Sequence, residues 1–92
     1  MKYHNWNPDK NELLKHTRGI SFNDIVYYLE HGHLIEIIEH PDQDLYKNQK
    51  MYIMNISDYI YLVPFMESED EIFMKTIIPS RKATKQYLEN LK

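Results

Sequence analysis

Apolar residues follow a helical period in the first third of the chain, whereas from residue 34 onward they form short runs typical of strands. Asn7-Pro8 predicts a helix start, with an asparagine cap and proline in the first helical position. Gly19 suits the left-handed residue that follows a helix, so this helix is expected to end there. Residues 2–6, which precede the cap, are short enough to form an edge strand.

A second helix is predicted for the segment SFNDIVYYLEHG. Ser21 and Asp24 have the spacing of a capping box, and Gly32 marks the end. The spacing i, i+3, i+4, i+7 of one group of apolar residues indicates a buried stripe: Phe22, Ile25, Val26 and Leu29.

The rest of the chain predicts four strands and a last helix. The strands are expected over residues 34–40, 50–56, 59–65 and 72–78. Ser57-Asp58 is a suitable hairpin turn between the second and third of them. The predicted fold is α+β: two N-terminal helices packed on an antiparallel sheet of about four to five strands, with a C-terminal helix.

Length and composition are those of one ordinary globular domain, residues 1–92. The chain is 42% hydrophobic and 27% charged, and it contains no cysteine, so disulfides and thiolate metal sites are excluded. The N-terminus lacks the apolar core of a signal peptide, and we expect a cytoplasmic protein without membrane association. Two glycines are too few for a Walker loop or a dinucleotide-binding turn, and no cofactor is expected.

Charge is unevenly distributed along the chain. The net charge is −3, which argues against a protein that simply coats nucleic acid. Residues 67–71 hold four acids, whereas from residue 75 onward Glu89 is the single acid facing five cations: Lys75, Arg81, Lys82, Lys85 and Lys92. A basic end on an acidic protein suits a small anionic target, and a solvated surface helix is the alternative.

The segment IIPSRKATKQY, residues 77–87, places cations where a helix disfavours them. Pro79 ends the strand and Ser80 is a good helix cap, so Arg81 and Lys82 occupy the first turn. Unpaired N–H groups already carry partial positive charge there, and an exposed cation costs about 0.3–1 kcal/mol. A helix N-terminus that binds an anion explains the arrangement.

Three histidines, His31, His33 and His40, invite a metal interpretation. His31 and His33 flank a helix-ending glycine and His40 ends a strand, so a shared metal site is not expected. Several apolar and aromatic residues that look exposed in the sequence are candidates for a partner surface or for a second covered face of the sheet. They are Tyr46, Met51, Tyr59, Tyr61, Met66 and Phe73.

Two segments at opposite ends of the chain resemble one family. WNPDKNELLKHTRGISFNDI resembles the opening of BrnT-family toxins, which carry a Trp-Asp-Pro-x-Lys start and a Lys-His-Gly-Val-x-Phe turn. IIPSRKATKQY resembles that family's closing Ile-Ile-Ser-Ala-Arg-Arg-Ala-Thr. The resemblance implies a cytoplasmic ribonuclease of RelE-like fold, the toxin of a type II toxin–antitoxin pair. A DNA-binding antitoxin would inhibit it, and contact with DNA would be indirect.

The resemblance also implies site residues. The family's closing Arg-Arg-Ala-Thr matches residues 81–84, so Arg81 becomes the principal phosphate and transition-state ligand. The arginine near the start of the third strand most nearly matches Lys50. The family's turn histidine falls on Arg18, and an acid of its last helix falls on Tyr87. These two departures weaken the expectation that this chain shares the family's proton-transfer mechanism.

Metal-free RNA cleavage by the 2′-OH needs a base, cations for the phosphorane and an acid for the leaving 5′ oxygen. Arg81 supplies a bidentate phosphate contact, with Lys50 and Arg18 as supporting cations. His16 is the nearest side chain that titrates near neutrality, and Tyr87 is a second proton-transfer candidate or a base-stacking residue. Phosphate contacts are expected from Ser80, Arg81, Lys82 and Lys85.

Two functions follow from this sequence. The first is an endoribonuclease toxin that needs no metal, binds RNA and is neutralised by a cognate antitoxin. The second is a non-catalytic interaction protein that keeps the toxin fold and the antitoxin surface but lacks turnover, as the departures at Arg18 and Tyr87 and the acidic pI of about 5.9 suggest. Cleavage that persists in a chelator and fails in Arg81→Ala distinguishes the two.

Overall fold

Six strands and three helices make up residues 2–88, the part of the chain that this computed structural model describes. No helix within those residues is long and apolar enough to cross a membrane. In chain order the elements are β1 (Tyr3–Asn5), α1 (Pro8–Arg18), α2 (Phe22–Glu30), β2 (Leu34–Glu39), β3 (Gln49–Ile56), β4 (Tyr59–Glu67), β5 (Glu71–Met74), β6 (Ile78–Pro79) and α3 (Arg81–Leu88).

The strands form one mixed sheet in the order β1-β5-β4-β3-β2, with β6 also paired to β4. The predicted meander from β2 to β5 is confirmed as antiparallel, and β1 is confirmed as an edge strand. The prediction of an antiparallel sheet is wrong at that edge, where β1 runs parallel to β5. A parallel pair is possible here because β1 and β5 are not joined by a hairpin: two helices and three strands lie between them in the chain.

Both predicted helix starts and the first helix end are confirmed. The Asn7 side chain accepts the backbone N–H groups of Asp9 at 2.8 Å and Lys10 at 3.1 Å. Ser21 and Asp24 form a complete capping box. Gly19 adopts a φ of 68°, the left-handed conformation that ends α1. These ends depend on side chains a few residues apart, which is why the sequence predicts them well.

The β3–β4 hairpin turns at Ser57 and Asp58, as predicted. Their φ angles are 55° and 61°, and two positive values are the signature of the type I′ turn that matches the twist of a hairpin. Register on both sides is continuous, from Ile56 opposite Tyr59 to Gln49 opposite Met66.

The strand predicted over residues 72–78 is divided into β5 and β6. Met74 lies opposite Phe65 and Ile78 lies opposite Leu62, so three steps along β4 face four along the partner, which is a bulge of one residue. Pro64 explains its position. The Pro64 carbonyl accepts the Lys75 N–H at 2.8 Å, so the proline nitrogen, which has no hydrogen, also faces the bulge.

The sheet has a helix layer on each face. On the α1–α2 face, side chains from both helices and the strands form the larger core: Leu14, Ile20, Phe22, Ile25, Tyr52, Met54, Ile56, Val63, Phe65, Met74 and Ile77. On the α3 face, a smaller cluster contains Ile53, Ile60 and Ala83. β3 and β4 carry apolar residues on both faces because each face is covered by a helix layer.

Candidate functional site

At the start of α3, Ser80 makes hydrogen bonds both to the sheet and within the helix. The Ser80 backbone N–H donates to the Ile60 carbonyl at 3.0 Å, and the Ser80 hydroxyl oxygen accepts the Ala83 N–H at 3.1 Å. Ser80 is therefore the helix cap that the sequence predicts. Arg81 and Lys82, which follow it, are exposed in the first turn.

Thr84 makes a second connection between α3 and β4. Its hydroxyl donates to the Ser80 carbonyl at 2.7 Å and accepts the Ile60 backbone N–H at 2.9 Å. The Ile60 N–H, the first of a buried residue in β4, is thus satisfied by the Thr84 hydroxyl and not by a carbonyl of a neighbouring strand. The two connections fix the direction from which the first turn of α3 meets the sheet.

The cations of α3 have no carboxylate partner in the described part of the chain. No Asp or Glu oxygen among residues 2–88 lies within 4.0 Å of the charged groups of Arg81, Lys82 or Lys85. Glu89 and Lys92, which entered the charge count, lie outside those residues. First-turn cations add to the positive end of the helix dipole, so the local field favours an anion.

A groove of about 260 Å³ lies between α3 and the sheet, and we call it the α3 groove. Its floor is apolar, formed by Ile38, Met51, Ile53 and Leu62. Its rim contains Pro41, the helix cap Ser80 and four residues from the start to the end of α3: Lys82, Ala83, Gln86 and Tyr87. The structure therefore brings together Ser80, Lys82 and Tyr87 of the predicted site, next to Arg81.

Tyr87 connects the groove to a carboxylate. Its hydroxyl donates to Glu36 Oε1 at 2.7 Å. This hydrogen bond to Glu36, with some burial, raises the pKa of Tyr87 above its ordinary value. A tyrosine with a raised pKa is a weaker acid, so Tyr87 is better suited to hold Glu36 in place. Glu36 itself was missed by sequence reasoning, because nothing in the sequence of β2 distinguishes it from Glu39, the other acid of that strand.

Lys50 lies on the other face of the sheet. Met51 and Ile53 face α3, so the alternation of β3 turns Lys50 toward the α1–α2 side. There its ammonium lies 3.4 Å from Glu67 Oε1, and Lys2 lies 2.7 Å from Glu67 Oε2. Hydrogen bonds from Lys2 and then Lys50 lower the pKa of Glu67. The structure therefore does not bring Lys50 together with Arg81.

His16 and Arg18 are exposed in the last turn of α1. That helix packs its Leu14 into the core of the α1–α2 face. Within residues 2–88, no hydrogen bond or ion pair connects either side chain to Arg81 or Lys82. The positive charge of Arg18 is favoured there by the negative end of the helix dipole.

The three histidines considered for a metal site are in three different places. His31 Nδ1 lies 2.7 Å from the Tyr27 carbonyl, and His33 Nδ1 lies 2.9 Å from the Asn55 carbonyl. His40 Nδ1 instead accepts the Asp42 backbone N–H at 3.1 Å. Each ring makes its hydrogen bond within its own local structure.

A histidine–tyrosine pair lies inside the α1–α2 face. His4 Nε2 is 3.0 Å from the Tyr52 hydroxyl oxygen, and Tyr52 stacks on Phe65 with ring centroids 4.3 Å apart. Burial, with a smaller contribution from the Glu67 charge, raises the pKa of Tyr52 to about 12. Burial also lowers the pKa of His4, against a smaller effect of Glu30. Both groups are neutral at pH 7, as their packing requires.

The residues suggested for a partner surface divide into two groups. Met51 is buried, and Tyr59, Tyr61 and Phe73 are partly buried. Tyr46 and Met66 are exposed. Most of this set therefore lies in covered parts of the sheet and not on an exposed surface.

Comparison of this chain with protein-family models, curated proteins and solved structures finds no match. Functional reasoning therefore depends on the residues and their arrangement.

Proposed function

We propose that this protein is the toxin of a BrnT-type toxin–antitoxin pair, a metal-independent endoribonuclease of RelE-like fold that acts in the cytoplasm. A cognate DNA-binding antitoxin would neutralise it. Support comes from the resemblance of the two terminal segments to that family. It also comes from the α+β architecture, with two helices, a meander and a final helix in the corresponding order.

The first turn of α3 is the observation that carries the proposal. Arg81 and Lys82 are exposed at the positive end of a helix, without a carboxylate within 4.0 Å in residues 2–88. The fold is not stabilised by this arrangement, because like charges accumulate. A phosphodiester would bind the free N–H groups, the guanidinium and the ammonium together.

In the proposed reaction, the ribose 2′ oxygen attacks the adjacent phosphorus and its proton passes to a base. Arg81 and Lys82 stabilise the charge of the phosphorane. The bond from phosphorus to the 5′ oxygen then breaks, and that oxygen takes a proton from water, leaving a 2′,3′-cyclic phosphate. Glu36 is the carboxylate that Tyr87 holds beside the groove, and it is our candidate for the base.

Supporting roles are assigned by position. Ser80, Lys82 and Lys85 remain proposed phosphate contacts, since all three belong to the start and exposed side of α3. Lys50 is left out of the proposed site, because it faces the opposite side of the sheet and pairs with Glu67. Arg18 and His16 are also left out, because they lie in the last turn of α1, which packs on the α1–α2 face.

The deciding experiment measures cleavage of a single-stranded RNA by the purified protein in the presence of EDTA. We expect cleavage by the wild type and a loss of about 100- to 1000-fold in Arg81→Ala, the usual effect of removing one group that stabilises a transition-state charge. Arg81→Lys keeps the charge but loses the bidentate contact, and should fall between the two. An RNA with 2′-O-methyl riboses should resist cleavage.

Arg18→Ala is the matched control, because it removes an exposed arginine from another helix. Unchanged cleavage in Arg18→Ala, with loss in Arg81→Ala, places the reaction at α3. Equal activity of Arg81→Ala and wild type, with the same melting temperature, would contradict the assignment of the site.

One observation favours the alternative, a non-catalytic interaction protein with this fold. Tyr87 stands where the family has an acid, and its hydroxyl is engaged by Glu36, which raises its pKa. A proton donor suited to pH 7 is therefore absent at that position. Tight binding of an antitoxin by a folded protein that cleaves no RNA would support this alternative.

A further inference from the structure

The loop between β2 and β3 holds an aromatic pair, in which a partly buried His40 stacks with an exposed Tyr46. The rings of His40 and Tyr46 have centroids 4.2 Å apart at an interplanar angle of 31°. Tyr46 is 42% exposed, and its hydroxyl makes no hydrogen bond within residues 2–88. Its ring therefore has a free surface that the fold does not use.

This loop is fastened by its own side chains. Gln43 Nε2 donates to the carbonyls of His40 at 2.7 Å and Gln49 at 3.2 Å. The Tyr46 backbone N–H donates to the Asp42 carbonyl at 2.9 Å. Because the Asp42 amide donates to His40 Nδ1, a neutral His40 carries its proton on Nε2 and presents a donor there. The pair is thus positioned before any ligand binds.

The aromatic pair shares a face of the sheet with the α3 groove. His40 and Tyr46 line a groove of about 240 Å³ together with Gln49, Pro64, Lys75, Thr76 and Ile78. On β3 and β4, Gln49 and Pro64 are each two residues from a residue of the α3 groove floor, Met51 and Leu62. Residues two apart on a strand are roughly 7 Å apart on one face, so the grooves are contiguous.

The charge of this second groove matches that of α3. Lys75 lines it, and no carboxylate of residues 2–88 lies within 4.0 Å of the Lys75 ammonium. The loop also contains two acids, Asp42 and Asp44, but neither lines this groove. An oxygen of Asp42 accepts the Leu45 N–H at 3.1 Å. A cation beside an exposed aromatic ring is the combination that binds single-stranded nucleic acid.

We infer that the His40–Tyr46 pair is a nucleobase-stacking site, where an RNA strand with its phosphate at Arg81 continues across the α3 face. A base stacks on the Tyr46 ring, and Lys75 contacts the neighbouring phosphate. This inference rests on the proposed function, since it assumes that the ligand of α3 is RNA. It adds two residues, Tyr46 and Lys75, that the sequence analysis did not include among the catalytic residues or phosphate contacts.

The test uses a single-stranded 2′-O-methyl oligonucleotide, which cannot be cleaved, with 2-aminopurine placed at successive positions. Stacking quenches 2-aminopurine, so one position should lose fluorescence on binding to wild type and keep it with Tyr46→Ala. Tyr46→Ala should raise Kd about 5- to 150-fold, while Tyr46→Phe keeps the ring and the affinity. Lys75→Met should weaken binding without restoring the fluorescence.

Tyr27→Ala is the matched control. Tyr27 is also exposed and also stacks on a histidine, His31, with centroids 4.0 Å apart, but it lies on α2, on the other side of the sheet. Equal effects of Tyr27→Ala and Tyr46→Ala would overturn the inference. So would unquenched 2-aminopurine at every position of a bound oligonucleotide, or unchanged affinity in Tyr46→Ala with loss of a protein partner. In these cases RNA cleavage that depends on Arg81 would still stand; failure of the wild type to bind or cleave RNA would remove both proposals.

Discussion

The two faces of the sheet differ in how they use apolar and charged residues. On the α1–α2 face, eleven buried residues of the described chain form one core, and Lys2 and Lys50 are paired with Glu67. On the α3 face, the buried cluster contains three residues of the described chain, and Arg81 and Lys82 have no carboxylate partner among residues 2–88. Stability is therefore expected from the first face and ligand binding from the second.

The same kinds of residue have different surroundings on these faces. Lys50 is paired with the carboxylate of Glu67, whereas no carboxylate of residues 2–88 lies within 4.0 Å of the Lys82 ammonium. The Tyr52 hydroxyl has a histidine partner, whereas the Tyr46 hydroxyl has none in the described chain. The comparison shows that the expected role of a lysine or tyrosine in this protein depends on the side of the sheet on which it lies.

Phe22→Ala should produce the largest effect on stability. Phe22 is 0% exposed and stacks on Trp6 with centroids 5.8 Å apart, so its removal leaves a cavity. We expect a loss of about 3–5 kcal/mol in the free energy of unfolding, measured by urea denaturation. Leu62→Ala on the α3 face should cost less, because Leu62 is partly exposed. Equal losses would break the comparison of the faces.

Thr84→Val should cost about 1–3 kcal/mol, because it leaves the Ile60 N–H without its acceptor. Thr17→Val is the matched control. The Thr17 hydroxyl also donates to a carbonyl four residues earlier, that of Leu13 at 2.7 Å, but it serves no other element and is exposed. Its change should stay within about 0.5 kcal/mol in the same urea measurement. A small effect of Thr84→Val would show that α3 does not need this connection.

Tyr52 should make the protein sensitive to alkali. Its folded pKa of about 12 lies above the unfolded value of about 10, so the neutral form is favoured by folding. Its contribution is complete below pH 10 and is lost as the pH rises from 10 to 12. The stability of the wild type should fall relative to Tyr52→Phe across that window, as followed by urea midpoints. A constant difference between the two proteins would contradict the raised pKa.

The smallest expected effect is on salt dependence. If Lys82 contacts a phosphate of single-stranded RNA, Lys82→Met should reduce the slope of log K against log salt by about 0.7. Lys50→Met, on the other face, should leave the slope unchanged, because its ammonium is paired with Glu67. The measurement is a titration of a fluorescent 2′-O-methyl oligonucleotide at several salt concentrations. A larger change in Lys50→Met would reverse the assignment of the faces.

The candidate site could be predicted from the sequence only in part. Ser80 as a cap and the cations after it were predictable, because a helix start is a local feature. The separation of Lys50 from Arg81, the Tyr87–Glu36 hydrogen bond and the position of His40 and Tyr46 were not. These depend on which face of β2 and β3 α3 covers, and strands that are apolar on both sides do not indicate it.

The sequence by itself determined the local structure: the starts of α1 and α2, the end of α1, and the Ser57-Asp58 turn. Each of these depends on residues no more than four apart, whose hydrogen bonds form in the same segment. Only the tertiary structure decided the parallel pairing of β1, the bulge opposite Pro64 and the face that α3 covers. Those features are selected by burial against distant segments, so they follow from how the whole chain excludes water from both sides of one sheet.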